Sequence, residues 1–363
     1  MENSGILDKM INISQDKEKR DFSAREMINQ LLSLVSAREA QILSFRYGLE
    51  EDPAQTLSQI GEKLKLTRER VRQLEKQAFK TITSSSRLDS ILSPLRHLVI
   101  DILKFNGGLT TFKSVSNKLI TSGMVPASEK EILYFLLDKC LTGISRVSDK
   151  DFELSFKLPS FSLDFVRATL DELEKIFAQT NKILTLPEIV KKFKASEYYS
   201  AQQTKISELG AELDALILAY LEASTKFVKT PFDQWGLKLW PSVTPKRING
   251  KIYLVLKAKQ KPLHFTKISS LINENWPVKK SVQPATVHNE LIADKRFVLV
   301  GRGIYALAEH GYTSGSVQEI VKKIMAKNLD LKTSDIIDQV KEKKLVKEST
   351  IRMAIRKNKN SPR

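Results

Sequence analysis

Residues 24–35, AREMINQLLSLV, carry apolar side chains at helical spacing, and the pattern predicts a helix that closes a small four-helix cluster with the three helices after it. Ser36 and Glu39 fit a capping box, followed by Ile42 and Leu43 on an inward face. Thr56 caps a short helix whose inner face is Leu57, Ile60 and Leu64, and Gly61 in it permits close approach of the next helix. Thr67 caps that helix, with Glu69 in the first turn, where negative charge suits the dipole. At about 100° per residue, Val71, Leu74 and Ala78 fall on one side. Glu69, Arg72, Gln73, Lys76 and Lys80 fall on the other, flanked by Arg68 and Arg70. Two short amphipathic helices joined by a turn of a few residues form a helix-turn-helix.

The remainder of the chain repeats one pattern. GGLTTFKSVSNKLI (107–120), KILTLPEIVKKF (182–193), KPLHFTKISSLI (261–272) and LDLKTSDIIDQV (329–340) each place a leucine, a short extended polar piece and an amphipathic helix in that order. The leucines, at 109, 184, 263 and 331, lie 75, 79 and 68 residues apart. In the last three, four residues separate the leucine from Ile189, Ile268 and Ile336; in the first, the gap to Val115 is one longer. Such self-similarity signals repeated units. A helix precedes each pattern (94–105, 162–178, 245–258, 315–327) and a later helix follows it (128–139, 205–222, 284–293, 347–357). Pro241 and Pro245 start the third of the leading helices. Short β-rich pairs close the first three units, at 143–157, 226–240 and 296–306; in the last, Gly301-Arg302-Gly303 makes a hairpin turn. Three helices and a hairpin make a winged helix. The fold class expected is therefore mainly α: an N-terminal helix-turn-helix followed by tandem winged-helix-like domains with small β-hairpin wings. The divisions are 1–83, 94–158, 161–241, 245–312 and 314–363, the last without a visible wing. The serine-rich residues 83–93 read as a linker.

The polar face of the 67–80 helix has the chemistry of a DNA reader. A recognition helix presents its N-terminal part to base edges in the major groove. Arginine suits guanine, glutamine suits adenine and glutamate accepts from the cytosine amino group. Arg72, Lys76 and Lys80 are spaced to reach phosphates.

The stretch SAREAQILSFRYGLEEDPAQTLSQIGEKLKLTRERVRQLEKQAF resembles region 4 of sigma-70-type transcription factors. Its landmarks are Arg38-Glu39, Arg46-Tyr47-Gly48-Leu49, Thr56-Leu57, Ile60-Gly61 and TRERVRQLE at 67–75, and the likeness covers about residues 24–83. The resemblance implies that Arg68, Glu69 and Gln73 contact bases of the promoter's upstream element. It implies that Thr67, Arg70 and Arg72 support backbone contacts, and that core RNA polymerase is a partner through its β flap. Such factors also carry an upstream domain that binds core polymerase and melts the promoter. About 35 residues before region 4 are too few for it, so promoter opening by this chain alone is not expected.

The third repeat, KPLHFTKISSLI and then PATVHNELIADKRFVLVGRGIYALAEHGY, resembles the HARE-HTH domain, a winged helix found in the delta subunit of bacterial RNA polymerase, in chromatin proteins and beside restriction enzymes. The likeness covers about 245–312, and the other repeats look like divergent copies. A winged helix binds DNA through its last helix and wing, or serves only as a protein contact. Candidate DNA contacts are Lys279, Lys280, Thr286, His288, Asn289 and Arg302; Thr286 also reads as a cap and Asn289 as a surface residue. Residues 341–363 hold six Lys, three Arg and two Glu, with Arg352 and Arg356 four apart on one helix face and Lys357 and Lys359 following. Trp235 and Trp240 would pack the junction between the second and third repeats or stack bases.

Net charge of +17 with a pI near 9.6 favours a polyanionic partner. The single cysteine, Cys140, excludes a disulfide framework and a cysteine-based zinc site. The histidines at 97, 264, 288 and 310 lack paired ligand spacing, so no metal is expected. There is no apolar run of the roughly 18 residues a membrane helix needs, and the N-terminus lacks a secretory segment. No nucleophile–base pair, carboxylate pair or phosphate loop stands out. The expected protein is a cytoplasmic, nucleoid-associated DNA-binding transcription regulator, not an enzyme. It needs no cofactor, small-molecule substrate or membrane, and its partners are duplex DNA and core polymerase. The competing reading is a polymerase-associated scaffold whose repeats mainly bind protein; a third is a restriction-linked DNA sensor.

Overall fold

The computed structural model describes residues 23–50, 53–241, 243–277, 281–313, 315–327 and 331–359. It is mainly helical, with three small antiparallel sheets of three strands. Compact packing divides the chain into two units, residues 1–181 with 186–227, and 182–185 with 228–363.

In the first unit, α1 (Ala24–Leu32), α2 (Ala37–Tyr47), α3 (Leu57–Leu64) and α4 (Arg68–Ser84) begin at Ser23, Ser36, Thr56 and Thr67, whose hydroxyls each accept from a backbone N–H of the first turn. The boxes at Ser36 and Thr56 are reciprocal, through Glu39 and Gln59. Ile42, Ile60, Leu64 and Val71 form a compact core under the helix-turn-helix, with Leu57 and Leu74 packed on it. The expected four-helix cluster forms only in part. Met27, Ile28 and Leu31 of α1 share a core with Leu43 of α2 and Ala78 and Ile82 of α4, but that core extends to Leu92, Leu95, Leu133 and Leu137, and α3 packs in the separate core under the helix-turn-helix.

Residues 83–93 are not a linker. α4 runs to Ser84 and α5 covers Leu88–Phe105, with Pro94 inside it. Leu88, Ile91 and Leu92 are buried, so only three residues interrupt the helices. Then follow β1 (Leu109–Thr111), α6 (Phe112–Thr121), α7 (Lys130–Phe135) continuing as a π-helical turn at Leu136–Cys140, β2 (Ser145–Val147) and β3 (Ser155–Lys157). β3 lies between β1 and β2, so the first extended piece joins the closing hairpin.

α8 (Leu163–Thr180), α9 (Leu186–Lys194), α10 (Glu197–Glu208) and α11 (Leu213–Ala223) complete this unit. The single helix expected at 205–222 is two: Gly210 takes φ +63° and ends α10. Tyr220 is fully buried, and its hydroxyl donates to the Gly107 carbonyl at 2.7 Å.

In the second unit, β4 (Leu184–Thr185), β5 (Phe227–Lys229, its first residue in the other unit) and β6 (Gln234–Leu237) order as β4-β6-β5. α12 (Ile248–Lys259) begins three residues after Pro245, so neither Pro241 nor Pro245 starts it. β7 (Leu263–His264), α13 (Phe265–Asn275), α14 (Pro284–Ala293), β8 (Phe297–Gly301) and β9 (Ile304–Leu307) follow, with sheet order β7-β9-β8. Gly303 takes φ +69°, and a Cβ there would come within 2.6 Å of the His264 ring. α15 (Val317–Lys327), α16 (Thr333–Lys343) and α17 (Glu348–Lys359) share the core of Val321, Ile336, Val340 and Ile351. Leu331 begins no strand among the described residues. The chain after α16 covers the β8 edge: Leu345 N–H donates to the Val300 carbonyl at 2.9 Å, and Lys344 Nζ donates to the Leu299 carbonyl.

The remaining anchors, Leu109, Leu184 and Leu263, all lie in strands that pair with the last strand of their hairpin, opposite Lys157, Trp235 and Tyr305. Val115, Ile189, Ile268 and Ile336 are all buried. Of the two tryptophans, Trp235 is buried and Trp240 half-buried. A Cβ on Gly236 would meet Trp240, Ile183 and Val243. No described helix is long and apolar enough to cross a membrane.

Candidate nucleic-acid interface

The turn before α4 sets its geometry. Lys65 adopts φ +54°, and Leu66 N–H donates to the Gly61 carbonyl at 2.8 Å. A Cβ on Gly61 would sit 2.7 Å from the Leu66 carbonyl oxygen. The close approach permitted by Gly61 is thus tightest to the turn and extends to the first residue of α4, whose Arg68 N would lie 3.6 Å from that Cβ. Arg38 donates to the Leu64 carbonyl and Arg46 Nη1 to the Gln55 carbonyl at 3.0 Å. These arginines hold the loops on either side of α3.

Thr67, Arg68, Glu69, Arg70, Arg72, Gln73, Lys76 and Lys80 are all exposed, while Val71 and Ala78 are fully buried beneath them. Arg72 Nε and Nη2 donate to Glu69 Oε2 and Oε1 at 2.9 and 2.6 Å. That hydrogen-bonded guanidinium holds the Glu69 carboxyl below the usual carboxylate range. Arg70 Nη1 donates to Gln73 Oε1 at 3.3 Å, and Thr67 accepts from Arg70 N–H. Four polar side chains are therefore pre-ordered in pairs, whereas the side chains of Arg68, Lys76 and Lys80 make no hydrogen bond or ion pair among the described residues.

Two residues that the sequence reading left without a role brace this helix. Tyr47 Oη donates to Glu75 Oε1 at 2.8 Å, and the Arg46 guanidinium lies 3.8 Å from the same oxygen. Burial, then the hydrogen bond to Glu75, pushes the Tyr47 hydroxyl's pKa up. The available signal was an aromatic polar residue at the end of α2, whose partner 28 residues on only the fold reveals.

The other candidates lie in the second unit. Thr286 and Asn289 on α14 and Arg302 at the hairpin tip are exposed. Thr286 is three residues past Gln283, which occupies the cap position. His288 is half-buried, its ring 4.8 Å from Phe265 and 5.9 Å from Tyr305. Lys279 and Lys280 lie outside the described residues, as does the Lys359 side chain. Arg352 Nη2 donates to Glu348 Oε1 at 2.7 Å, and Lys341 Nζ to Glu348 Oε2 at 3.0 Å. Arg356 is exposed one turn further on.

Residues 31–82 match the Sigma-70, region 4 family. Similar proteins include the RNA polymerase sigma factor sigB of Arabidopsis thaliana, 34% identical over 82 residues, which are 23% of this chain and 14% of that protein. SigA1 of Synechococcus elongatus is 41% identical over 68 residues, 19% of this chain and 17% of the relative. SigA2 of the same organism is 31% identical over 97 residues, 23% of this chain and 30% of the relative. The match thus spans between 14% and 30% of the length of these relatives. No solved structure matches it. α3 and nearly all of α4, the helix-turn-helix, lie within the span that matches sigma-70 region 4.

Proposed function

We propose that the protein is a sequence-specific, sigma-factor-like transcription regulator that lays α4 in the major groove of duplex DNA. The observation that carries this reading is the sorting of α4 inside a region 4 match: eight polar residues exposed, Val71 and Ala78 at 0% exposure below. Arg68, Glu69 and Gln73 read base edges; Thr67, Arg70, Arg72, Lys76 and Lys80 serve the phosphates. Core polymerase, met through its β flap, is the protein partner, which places the chain in the cytoplasm on the nucleoid. The chemistry is non-enzymatic recognition.

The five-part division at 1–83, 94–158, 161–241, 245–312 and 314–363 belongs to the same proposal. The α-β-α-α-β-β order of the third repeat, with its first strand paired to its last, supports a HARE-HTH-like winged helix. Thr286, Asn289, Arg302, Arg352 and Arg356 then supply further DNA contacts, and His288 supports α14 from within. The accessory-scaffold reading has one observation in its favour, confined to the second repeat. Residues 161–241 hold ten Lys and Arg against eleven Asp and Glu, a balance that suits protein contact better than phosphate.

The test is selection of bound duplexes from a random pool. Arg68→Ala and Gln73→Ala should each lose preference at one or two base pairs, at about 1–3 kcal/mol per contact. Lys76→Ala and Lys80→Ala should weaken all duplexes alike and lower the salt slope by about 1 each. Uniform weakening by all four would overturn the base-reading assignment. Capture of purified core polymerase on the immobilised protein tests the second partner.

A further inference from the structure

The second unit carries a basic cavity away from α14 and the hairpin tip. It is bounded by the loop 238–247, the start of α12 and the turn before β8, and has a volume of about 1110 Å³. Lys238, Lys246, Arg247 and Lys295 line it and are exposed. None of the four has a hydrogen bond or ion pair from its side chain among the described residues. The acids nearby are already committed. Glu309 accepts from Lys257 at 2.7 Å and from Tyr253, and Asp294 accepts from Arg296 at 2.5 Å. With Arg296 the cavity lining holds five cations against one carboxylate, Glu309, which is already engaged by Lys257 and Tyr253.

The loop that presents them is held in place. Trp240 N–H donates to the Leu237 carbonyl at 2.9 Å, Val243 N–H to the Trp240 carbonyl at 3.0 Å, and the Thr244 hydroxyl to the Lys238 carbonyl at 2.9 Å. The bend leaves Leu239 at 93% exposure beside Lys238. α12 opens on Arg247 with no side-chain cap, so its first amides and the positive end of its dipole add to the field.

We propose that this cavity binds the phosphate backbone of a single nucleic-acid strand, with a base laid on Leu239. Cations tracking a backbone are one part of a single-strand site, and Leu239 offers an aliphatic face for apolar contact with a base where such sites commonly use an aromatic ring. The site rests on no property of α4, so it stands or falls separately from the reading of region 4.

The test uses the full-length protein with labelled oligo(dT), which offers α4 no major groove, in a titration across a salt series. Lys246→Gln, Arg247→Gln and Lys295→Gln together should weaken oligo(dT) binding at least tenfold at low salt and lower the salt slope by about 2, at roughly 0.7 per phosphate contact. Leu239→Ser should weaken it several-fold with the slope unchanged, which a purely electrostatic surface would not show. A triple variant that binds oligo(dT) as the parent does overturns the site. A loss confined to random-sequence duplex, or to anionic lipid vesicles, overturns the single-strand assignment. Unchanged sequence selection by the triple variant on duplex pools separates this result from failure of the α4 reading.

Discussion

Glu69 is the residue on which the α4 surface turns. Its carboxylate takes Nε and Nη2 of Arg72, leaving only Nη1 to reach phosphate. Glu69→Gln is therefore expected to raise affinity for every duplex, as Arg72 is released and a negative charge leaves the groove, while preference at one base pair is lost. Binding titrations on matched and mismatched sites check this; weaker binding throughout would contradict it. Gly61 makes the opposite point, because its importance lies in what it lacks. Gly61→Val places methyls against the Leu66 carbonyl and should cost about 1–3 kcal/mol of stability, read from urea unfolding. His310 adds a pH term. Both ring nitrogens are buried without a hydrogen-bond partner among the described residues, and burial holds its pKa below the usual 6.5. The unfolded chain takes up a proton that the folded one resists, so stability should fall as pH drops through about 6.5 and below. His310→Gln should flatten that dependence, measured as the urea midpoint between pH 5 and 8.

At the scale of elements, apolar spacing marked nearly all of the helices, and the errors came where punctuation residues outweighed it. The serine cluster and Pro94 hid the first turns of α5, although Leu88, Ile91 and Leu92 continue the helical spacing back from Leu95. A run of good helix formers through 205–222 hid the break at Gly210, where a left-handed φ was the decisive signal. The recognition face was legible because Val71 and Ala78 alternate with charge at a period only a helix satisfies. The brace from Tyr47 to Glu75 was not, because nothing local in sequence links positions 28 apart. Leu92→Ala should cost about 2–5 kcal/mol of stability, as for a fully buried leucine, whereas a linker residue would cost almost nothing. Tyr220→Phe should cost about 1–3 kcal/mol, since the Gly107 carbonyl loses its buried donor. Denaturant unfolding decides both.

Over the whole molecule, positive charge is concentrated rather than spread. Residues 245–312 hold twelve Lys and Arg against four Asp and Glu, while 161–241 are balanced. Residues 245–363 hold twenty-five Lys and Arg against ten Asp and Glu, so nonspecific attraction to a polyanion would come mainly from that part of the chain. Removal of 314–363 should weaken nonspecific DNA binding and flatten its salt slope, as basic residues are lost. It should also produce concentration-dependent self-association, visible by sedimentation, because Val300 and Leu299 lose the chain that covers them. A truncated protein that stays monomeric at high concentration would show that the β8 edge needs no cover.

That cover has a direction in time. A ribosome delivers β8 some forty-five residues before Lys344 and Leu345. At ordinary synthesis rates of about 5–20 residues per second, the nascent hairpin therefore spends several seconds with a bare edge. A pause in translation between these points would lengthen the interval during which neighbouring chains on one message can pair through that edge.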